Sequence, residues 1–361
     1  MMTNRLKLAV VGAGAIGTGR HLPAYKMCET AGVADLVAVC DPFLENAQRA
    51  QATFAIPRAF ADYHELFKLP GLDAISICTP NVSHEPIALA ALEAGLHVMC
   101  EKPLAMSLAG AQRMADAARE AERKTAVNFR YRWIPAAGFV HDIIQSGELG
   151  EIYHVYVNYF NGSHHDPATP IRWRQLRSES GTGVLGDLAS HLIDLCRYWI
   201  GEFTEVNAHL RTIVPERPLI GGGTGIVDTD DSCSFFAKLA NGAEGVFNAS
   251  RCATARGNHQ RAEIYGTKGA LIYEIEKHDR GGDQVQLCLG SSQASHAVFA
   301  KVPVPPDYLT RTPFRPMIDF VEAIQENRDP SPNFEDGVRC QAVIEAAEIS
   351  AHEGKWTSVP T

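Results

Sequence analysis

The sequence predicts a two-domain α/β protein, in which a doubly wound parallel sheet is followed by an α+β domain with a mostly antiparallel sheet. Over the first part of the chain, short continuous apolar runs alternate with helical patterns, as in a parallel sheet covered on both faces. A glycine-rich turn follows the first of these runs. Beyond about Asn128 the strands become longer and amphipathic, and hairpin signals separate them.

The elements follow from these patterns in chain order. The first domain, 1–128, is predicted to contain strands at 6–11, 33–40, 72–79, 96–100 and 125–129, and helices at 15–30, 43–54, 83–94 and 107–123. The second domain, 129–361, is predicted to begin with a helix at about 136–146. Its strands are predicted at 151–161, 203–214, 231–239, 245–251, 261–265 and 270–276. Helices at about 314–326 and 335–353 and a short strand around Trp356 are predicted to end it.

Composition excludes several classes of protein. The chain has 361 residues, of which 45% are hydrophobic and 21% charged, and its net charge of −9 without a basic stretch argues against a nucleic-acid partner. No apolar run reaches membrane-spanning length, and the first residues do not resemble a signal peptide. The nine cysteines are scattered without a Cys-x-x-Cys pair. They suit reduced thiols in a cytoplasm, so the sequence predicts a cytoplasmic protein.

The glycine-rich turn joins the first strand to the first helix. Its first glycine permits the tight turn, the second removes a Cβ that would block a pyrophosphate, and the third lets the helix lie close on the sheet. The helix N-terminus then faces the phosphates. This context predicts a Rossmann dinucleotide site with contacts from Gly12, Gly14, Ala15, Ile16 and Gly17. The alternative is a tight strand–helix turn without a ligand.

Asp41 ends the second strand and bears on the choice of cofactor. A carboxylate at this point accepts hydrogen bonds from both ribose hydroxyls and repels a 2′-phosphate. No Arg or Lys follows it before Arg49. The sequence therefore favours NAD over NADP.

The fourth strand ends in a polar segment, where ligands lie in a doubly wound sheet. Its candidate cofactor contacts are Thr79, Pro80, Asn81 and His84, with Thr79 and Asn81 placed to reach the nicotinamide ribose. The alternative is that Asn81 or Ser83 simply caps the next helix. The two interpretations are balanced for Asn81, whereas capping is favoured for Ser83.

The fifth strand ends at Glu101-Lys102-Pro103. Proline restricts the preceding residue to extended geometry and admits a cis bond, so the direction of Lys102 is fixed. A positive charge there can hydrogen-bond a substrate hydroxyl and stabilise a developing alkoxide. Glu101 is a candidate contact of the nicotinamide ribose, or it merely balances the charge of Lys102. A lysine without this context would more often be a solvated surface charge.

Asp187 and His191 lie four residues apart beside the apolar stripe of a predicted helix. Histidine titrates near neutrality and can take a hydroxyl proton as hydride leaves, while a carboxylate one turn earlier can orient the ring. The plain alternatives are that Asp187 is an N-cap and His191 an ordinary half-buried histidine. A nucleotide loop and a constrained lysine in the same chain favour the catalytic interpretation.

Together, the glycine-rich loop, Glu101-Lys102-Pro103 and Asp187-x-x-x-His191 resemble the glucose–fructose oxidoreductase / inositol dehydrogenase / rhizopine catabolism family. The resemblance covers nearly the whole chain. It implies a Rossmann domain followed by a domain with a large open sheet, and oxidation or reduction of a carbinol carbon of a sugar or cyclitol. It also implies a catalytic group of Lys102, Asp187 and His191 with His191 as acid/base, a frequently cis Lys102–Pro103 bond, and dimers or tetramers that pack through the open sheet.

The segment 128–135 departs from the family's Gly-Phe-Asn-Arg-Arg-Phe-x-Pro. Arg132 matches the second arginine and is a candidate substrate contact. Tyr131 and Trp133 are this chain's own, and an aromatic side chain here can stack on a pyranose ring. The alternative for Trp133, held equal, is a place in the core.

The segment 161–175 precedes the candidate catalytic helix. Trp173 and Arg174 are candidates for lining the substrate pocket, since a polyhydroxylated ligand requires polar and aromatic groups. His164-His165-Asp166 superficially suggests a metal site. Adjacent residues rarely bind one ion and no third ligand is evident, so no metal is predicted.

The sequence therefore predicts an NAD-dependent dehydrogenase that acts on a secondary carbinol of a sugar, glycoside, anhydrosugar or inositol. One alternative is an NAD-dependent glycosidase or lyase on the same scaffold, with transient oxidation and no net NADH. A second is a non-catalytic NAD-binding sensor, which the intact catalytic group disfavours.

Overall fold

The computed structural model describes residues 5–276, 283–290, 298–310, 312 and 314–360. The chain divides into two units. The first comprises Met1–Arg130 and Thr312–Gln341, and the second comprises Tyr131–Arg311 and Ala342–Thr361. Within the described residues, no helix is both long enough and apolar enough to cross a membrane.

Strands and helices alternate in the first unit. They are β1 (Leu6–Val11), α1 (Leu22–Thr30), β2 (Ala34–Cys40), α2 (Leu44–Phe54), β3 (Arg58–Phe60), α3 (Tyr63–Phe67), β4 (Ala74–Ile77), α4 (His84–Glu93), β5 (His97–Cys100), α5 (Leu108–Glu120) and β6 (Thr125–Val127). The strands form a parallel sheet in the order β3-β2-β1-β4-β5-β6. This confirms the predicted doubly wound sheet, and the strand order reverses between β1 and β4. A dinucleotide binds such a sheet in the crevice at the carboxyl ends of these strands.

The apolar strands of this sheet are buried on both faces. Leu8, Ala9, Val10 and Val11 of β1 are each at most 2% exposed. That is why the run shows no alternation of apolar and polar residues. β3 and α3 were absent from the prediction because three- and five-residue elements carry too little periodicity to stand out.

The second unit begins with a helix and continues mainly as strands. Its elements are α6 (Pro135–Gln145), β7 (Ile152–Phe160), α7 (Arg177–Ser180), α8 (Ser190–Trp199), β8 (Phe203–Arg211), β9 (Glu216–Pro218), β10 (Thr224–Ile226), β11 (Ser232–Leu239), β12 (Glu244–Ser250), β13 (His259–Gly266), β14 (Gly269–Glu276), β15 (Gln284–Leu289) and β16 (Ala300–Val302). The described chain ends with α9 (Arg315–Gln325), α10 (Phe334–Glu353) and β17 (Thr357–Ser358).

A nine-stranded sheet dominates the second unit, in the order β16-β15-β14-β13-β7-β12-β11-β8-β17. Every pairing is antiparallel except that of β7 with β12, which confirms the predicted mostly antiparallel sheet. Val155 and Val157 of β7 are buried, whereas His154 and Tyr156 are exposed. One face of the sheet is therefore covered and the other is exposed, as the amphipathic strands predict.

The division into units differs from the predicted domains 1–128 and 129–361. The first break, after Arg130, lies close to the predicted boundary, but Thr312–Gln341 belongs to the first unit. Met317 and Phe320 of α9 lie in the same buried cluster as Leu22 and Tyr25 of α1. The apolar face of a helix does not specify which partner it packs against, so the sequence could not show that the chain returns to its first unit.

Candidate active site

The glycine turn of the first unit is shaped by close packing. Gly12 has a φ of +104°, and a Cβ on it would lie 2.4 Å from the carbonyl oxygen of Cys78. A Cβ on Gly17 would lie 2.1 Å from the carbonyl oxygen of Gly12. A Cβ on Gly14, by contrast, meets nothing within 4 Å. The first and third glycines are thus required by the backbone, while the second borders open space of the kind that a pyrophosphate needs.

Apolar side chains are exposed around this turn. Ile16 is 39% exposed, Phe43 is 73% exposed and Val82 is 41% exposed. They follow the carboxyl ends of β1, β2 and β4 respectively. Rings of a bound ligand can contact such side chains, so their exposure fits a cofactor at this edge. Phe43 and Val82 were not among the predicted contacts.

Asp41 fastens the glycine turn to the end of β2. It is 7% exposed, and its Oδ2 accepts from the backbone N–H of Ala13 at 2.9 Å. Its Oδ1 accepts from the N–H of Phe43 at 3.0 Å and from Nδ2 of Asn46 at 3.2 Å. A carboxylate offers about four lone-pair positions, so Asp41 retains the capacity to accept from a ribose hydroxyl.

The end of β4 combines buried polar groups. The Oγ1 of Thr79 is buried without a hydrogen-bond partner among the described residues, and Asn81 is buried. The fully buried ring of His84 lies 2.9 Å from the carbonyl oxygen of Pro103 and 3.1 Å from that of Thr79. Burial lowers the pKa of His84, so its neutral ring donates to one of these carbonyls.

His84 therefore links the ends of β4 and β5, and its direct contact with a cofactor stays a prediction. The favoured interpretation of Ser83 as a cap is wrong. α4 begins without a side-chain capping hydrogen bond. A short 3₁₀ turn over Asn81–Ser83 leads into the helix instead.

The Lys102–Pro103 bond is cis, as the resemblance implies. Glu101 beside it is held by three donors. Its Oε1 accepts from Nε2 of His21 at 3.0 Å and from Nδ2 of Asn128 at 2.6 Å, and its Oε2 accepts from the N–H of Lys102 at 3.3 Å. Burial raises the pKa of Glu101, but the hydrogen bonds from His21 and Asn128 outweigh it and bring the pKa to about 2. Glu101 therefore also serves as a hydrogen-bond acceptor that joins His21, Asn128 and the backbone of Lys102. This role is distinct from the two that the sequence left open, which are contact with the nicotinamide ribose and charge balance with Lys102.

In the second unit, Asp187 lies inside a π-helical turn, Leu185–Ala189, that leads into α8. Its N–H already donates to the carbonyl oxygen of Gly183, so its interpretation as the N-cap is wrong. The carboxylate of Asp230 caps this turn instead, accepting from the N–H groups of Gly183 and Leu185, both at 2.8 Å. The side chain of Asp187 is thereby left to other partners.

Two arginines hold the carboxylate of Asp187. Its Oδ2 accepts from Nη2 of Arg251 and lies 3.5 Å from Nε of Arg174. The side chain of Arg251 is 16% exposed, and its burial, with a smaller effect of the nearby Arg174, lowers its pKa to about 10. The predicted residues Asp187 and Arg174 thus come together. Arg251 was missed, and its position after β12 gave no sequence signal.

His191 packs against aromatic rings. The ring of Tyr131 meets it edge-on, with centroids 4.5 Å apart, and Tyr159 lies 6.3 Å away. The two hydroxyls lie 2.8 Å apart, Tyr159 donates to Oδ1 of Asn258 at 2.5 Å, and Nδ2 of Asn258 donates to Tyr131 at 2.7 Å. This closed cycle of hydrogen bonds borders His191. Tyr131 is 1% exposed, so its face is not open to a sugar. Tyr159 and Asn258 were not predicted.

Arg132 forms a buried ion pair rather than an open contact. Its Nε and Nη2 donate to Asp194 at 2.9 and 2.5 Å, and its guanidinium carbon lies 5.1 Å from the ring centroid of Tyr198. A contact of Arg132 with substrate therefore stays a prediction. So does that of Trp133, which is partly buried. The guanidinium carbon of Arg174 lies 4.1 Å from the ring centroid of Trp173, so these two predicted residues are neighbours.

Among His164, His165 and Asp166, only the side chain of His164 is partly buried. His164 lies 3.9 Å from Asp231, whereas His165 and Asp166 are exposed. Burial lowers the pKa of His164, although the nearby carboxylate of Asp231 opposes the change. In the described portion of the chain, no group of three or more His, Cys, Asp or Glu side chains is placed to hold a metal ion.

Comparison with known proteins extends these findings over the chain. Residues 6–129 match the Gfo/Idh/MocA oxidoreductase family with an NAD-binding Rossmann fold, and residues 139–272 match the Gfo/Idh/MocA C-terminal domain. Levoglucosan dehydrogenase from Pseudarthrobacter phenanthrenivorans is 32% identical over 389 residues, covering 98% of each chain. Myo-inositol 2-dehydrogenase from Thermotoga maritima is 26% identical over 360 residues, covering 96% of this chain and 97% of that one.

Solved structures show the same likeness. A levoglucosan dehydrogenase in complex with NADH superposes with a TM-score of 0.92 at 32% identity, covering 99% of this chain and 100% of that one. Because the similarity runs through both domains and almost the whole length of these relatives, the chain belongs to the Gfo/Idh/MocA family and is an NAD-binding oxidoreductase.

Proposed function

We propose that this protein is an NAD-dependent dehydrogenase that oxidises a secondary carbinol of a sugar, glycoside, anhydrosugar or inositol. One observation carries the proposal. The second unit presents His191 from the same helical segment as Asp187, whose carboxylate is held by Arg251 and Arg174. The first unit supports it, because the open side of Gly14 and the remaining acceptor capacity of Asp41 fit NAD. Relatives named for levoglucosan and myo-inositol support the substrate class.

The proposed roles follow ordinary acid–base chemistry. His191 accepts the hydroxyl proton while the carbinol C–H bond breaks and its hydride leaves. Lys102 supports the developing alkoxide with its positive charge. Asp187 orients His191 or accepts from a neighbouring substrate hydroxyl. When bound, NAD supplies the hydride acceptor. The residues that would hold it are Gly12, Gly14, Ala15, Ile16, Gly17, Asp41, Thr79, Pro80, Asn81, His84, Glu101 and Lys102.

The substrate is proposed to bind beside Asp187. Arg174 extends over the ring of Trp173, so this pair offers a guanidinium and an aromatic face close together. A polyhydroxylated ring needs hydrogen-bonding partners along its edge and an apolar surface for its C–H face. Trp133 and Arg132 complete the set of proposed substrate contacts.

The test measures NADH formation against a panel of sugars, anhydrosugars, glycosides and inositols. His191→Ala and Lys102→Ala should each lose most of the activity, since a positioned base contributes roughly 10²–10⁴ in rate. The matched controls are His165→Ala and Lys68→Ala, which change an exposed histidine and an exposed lysine. Turnover of sugar without net NADH would overturn the proposal in favour of a glycosidase or lyase. NAD binding without turnover of any compound would favour a sensor.

We also propose that copies of this chain associate as a dimer or tetramer through the exposed face of the nine-stranded sheet. Tyr156, Val246 and Phe236 lie directly opposite one another on β7, β12 and β11. Tyr156 is 43% and Phe236 57% exposed. An exposed apolar row across three strands is typical of an interaction surface.

A cytoplasmic location is proposed on the state of the cysteines. All nine are free thiols, and seven of them are buried. Free thiols persist in a reducing compartment, where disulfides are rare.

A further inference from the structure

A chain of buried polar side chains runs through the interior of the first unit. The hydroxyl of Tyr25 donates to Oγ of Ser76 at 3.0 Å, and that Oγ lies 2.8 Å from Nδ1 of His21. On the other side of the ring, Nε2 of His21 lies 3.0 Å from Oε1 of Glu101, which also accepts from Asn128 at 2.6 Å. His21 and Ser76 are completely buried, and Tyr25 is 1% exposed.

The direction of these hydrogen bonds is fixed at one end. An ionised carboxylate only accepts, so both Nε2 of His21 and Nδ2 of Asn128 donate to Glu101. On the other side of the ring, Nδ1 of His21 shares a hydrogen bond with the hydroxyl of Ser76, which accepts in turn from Tyr25. The hydrogen bonds named here pair a donor with an acceptor, whereas Oδ1 of Asn128 is buried without a partner among the described residues. The series of hydrogen bonds ends at the residue that precedes Lys102.

Packing alone does not explain this chain. Each buried polar group costs about 1–3 kcal/mol if it is left unpaired, and apolar side chains of similar volume would fill the space between α1 and the sheet without that risk. These hydrogen-bonded side chains connect the segment after the glycine turn with the ends of β5 and β6. The carboxylate among them, that of Glu101, accepts from the N–H of Lys102 at 3.3 Å.

We infer that His21 and Asn128 are positioning residues, which hold the ionised Glu101 carboxylate against the backbone N–H of Lys102 and so fix the direction of the lysine. The inference rests on the proposed function, in which Lys102 supports the alkoxide. Neither residue needs to touch substrate for this role. Their effect is transmitted through Glu101.

The electrostatic surroundings explain why both donors are needed. Burial by itself raises the pKa of Glu101, and the donors reverse that effect. The other titratable groups that face this carboxylate are Lys102, His84, Cys78 and Cys100. Burial raises the pKa of both thiols well above the usual range, so they stay uncharged, as does the buried His84. His21 makes the largest contribution that lowers the pKa of Glu101, so the pKa of Glu101 should rise when His21 is replaced.

The first test follows the pH profile of sugar oxidation. His21→Leu and Asn128→Ala should move the acid limb of kcat/KM to higher pH and lower kcat/KM on that limb roughly 10- to 100-fold, because a misdirected group loses about that much. His21→Gln should restore much of the activity, since its amide can still donate to Glu101. kcat/KM for the sugar is compared at saturating NAD, because Glu101 is itself a proposed contact of the cofactor. His97→Leu is the matched control, because His97 is a partly buried histidine at the opposite end of β5 that accepts from the N–H of Lys124.

An unchanged acid limb in both His21→Leu and Asn128→Ala would overturn the inference. So would a loss in His21→Gln equal to that in His21→Leu, because a purely steric role predicts no rescue by a donor. An equal change in His97→Leu would indicate a general loss of stability, and would also overturn it.

The second test needs no turnover and therefore separates this inference from the proposed function. The difference spectrum between His21→Leu and the wild type should contain the infrared band of a protonated carboxylic acid near neutral pH, because the contribution of the partly protonated Asp230 cancels between the two proteins. It should disappear again in the double variant His21→Leu, Glu101→Gln. Absence of the band from this difference spectrum would contradict the inference whether or not the protein oxidises a sugar. If the band is present in His21→Leu but the wild type oxidises no sugar, the proposed function alone is contradicted.

Discussion

Asp187 shows how much a single residue depends on distant partners. Its carboxylate accepts from Arg251, 64 residues further along the chain, and lies beside Arg174. Guanidinium groups favour the charged form of a neighbouring carboxylate and match its geometry. Asp187 is therefore suited to accept hydrogen bonds and to orient other groups, while the proton transfer is proposed for His191.

The first prediction concerns Arg251. Arg251→Gln should lower kcat/KM for the oxidised sugar roughly 10- to 100-fold, because Asp187 loses the partner that fixes its carboxylate. NAD affinity should change less than kcat/KM, since Arg251 is not among the proposed cofactor contacts. Steady-state kinetics and NADH titration measure the two effects. Arg256→Gln is the control, because Arg256 is a more exposed arginine that pairs with Glu276. Equal activity in both variants would contradict the role of Arg251.

At the residue scale, the sequence predicted the residues that lie in short motifs and missed those that act through the fold. Lys102, Asp187 and His191 could be singled out because a proline or a helical spacing marks them. Arg251 and Asn258 have no such local mark. They reach Asp187 and Tyr131 only because β12 and β13 lie on either side of β7. A local sequence pattern does not show which strands pair with one another.

At the scale of elements, the turn that carries Asp187 depends on a carboxylate from elsewhere. Leu185–Ala189 is π-helical, and such turns often occur at functional sites. The N–H groups at its start are satisfied by Asp230. Burial raises the pKa of Asp230 from 3.8 to about 6, although the hydrogen bonds from Leu185 and Gly183 oppose the change.

This shift predicts a pH dependence of local stability. Because the folded pKa of Asp230 exceeds its unfolded value, the folded state binds more protons between about pH 4 and 6. The contribution of Asp230 to stability should therefore fall by at most about 3 kcal/mol as the pH rises through that window. Amide hydrogen exchange of residues 183–189, compared between wild type and Asp230→Asn, isolates this contribution.

The control is Asp228→Asn, which removes an exposed carboxylate that accepts from the N–H of Arg177. If the stability of the wild type relative to Asp230→Asn increases with rising pH, the sign derived above is contradicted. A difference that is constant from pH 4 to 6 would contradict the raised pKa itself.

The longer elements could be predicted nearly to their ends, whereas several short ones could not. α10 was predicted at about 335–353 and occupies Phe334–Glu353, and β7 was predicted at 151–161 and occupies Ile152–Phe160. β9, β10 and β16 have three residues each and were absent from the prediction. Three residues are too few to show a period, so only tertiary packing reveals such strands.

At the scale of the whole molecule, the order of the two domains could be predicted, but not the return of the chain to its first unit. α9 packs in the first unit through Met317, Phe320 and Val321. Its amphipathic pattern indicates that one face is buried, but a helix that packs in either unit would show the same pattern. The elements against which α9 packs can be identified only from the three-dimensional structure.

The last prediction is the assembly of two copies. Phe236→Asp should place a charge in the row formed by Tyr156, Val246 and Phe236, and it should shift the protein to a lower oligomeric state in analytical ultracentrifugation. In a two-fold symmetric interface the same patch contributes from both copies, so one substitution introduces two like charges that must be desolvated. Thr53→Asp, on the exposed surface of α2, is the control and should leave the oligomeric state unchanged. A monomeric wild type, or a Phe236→Asp variant that sediments like the wild type, would show that this face does not hold the copies together.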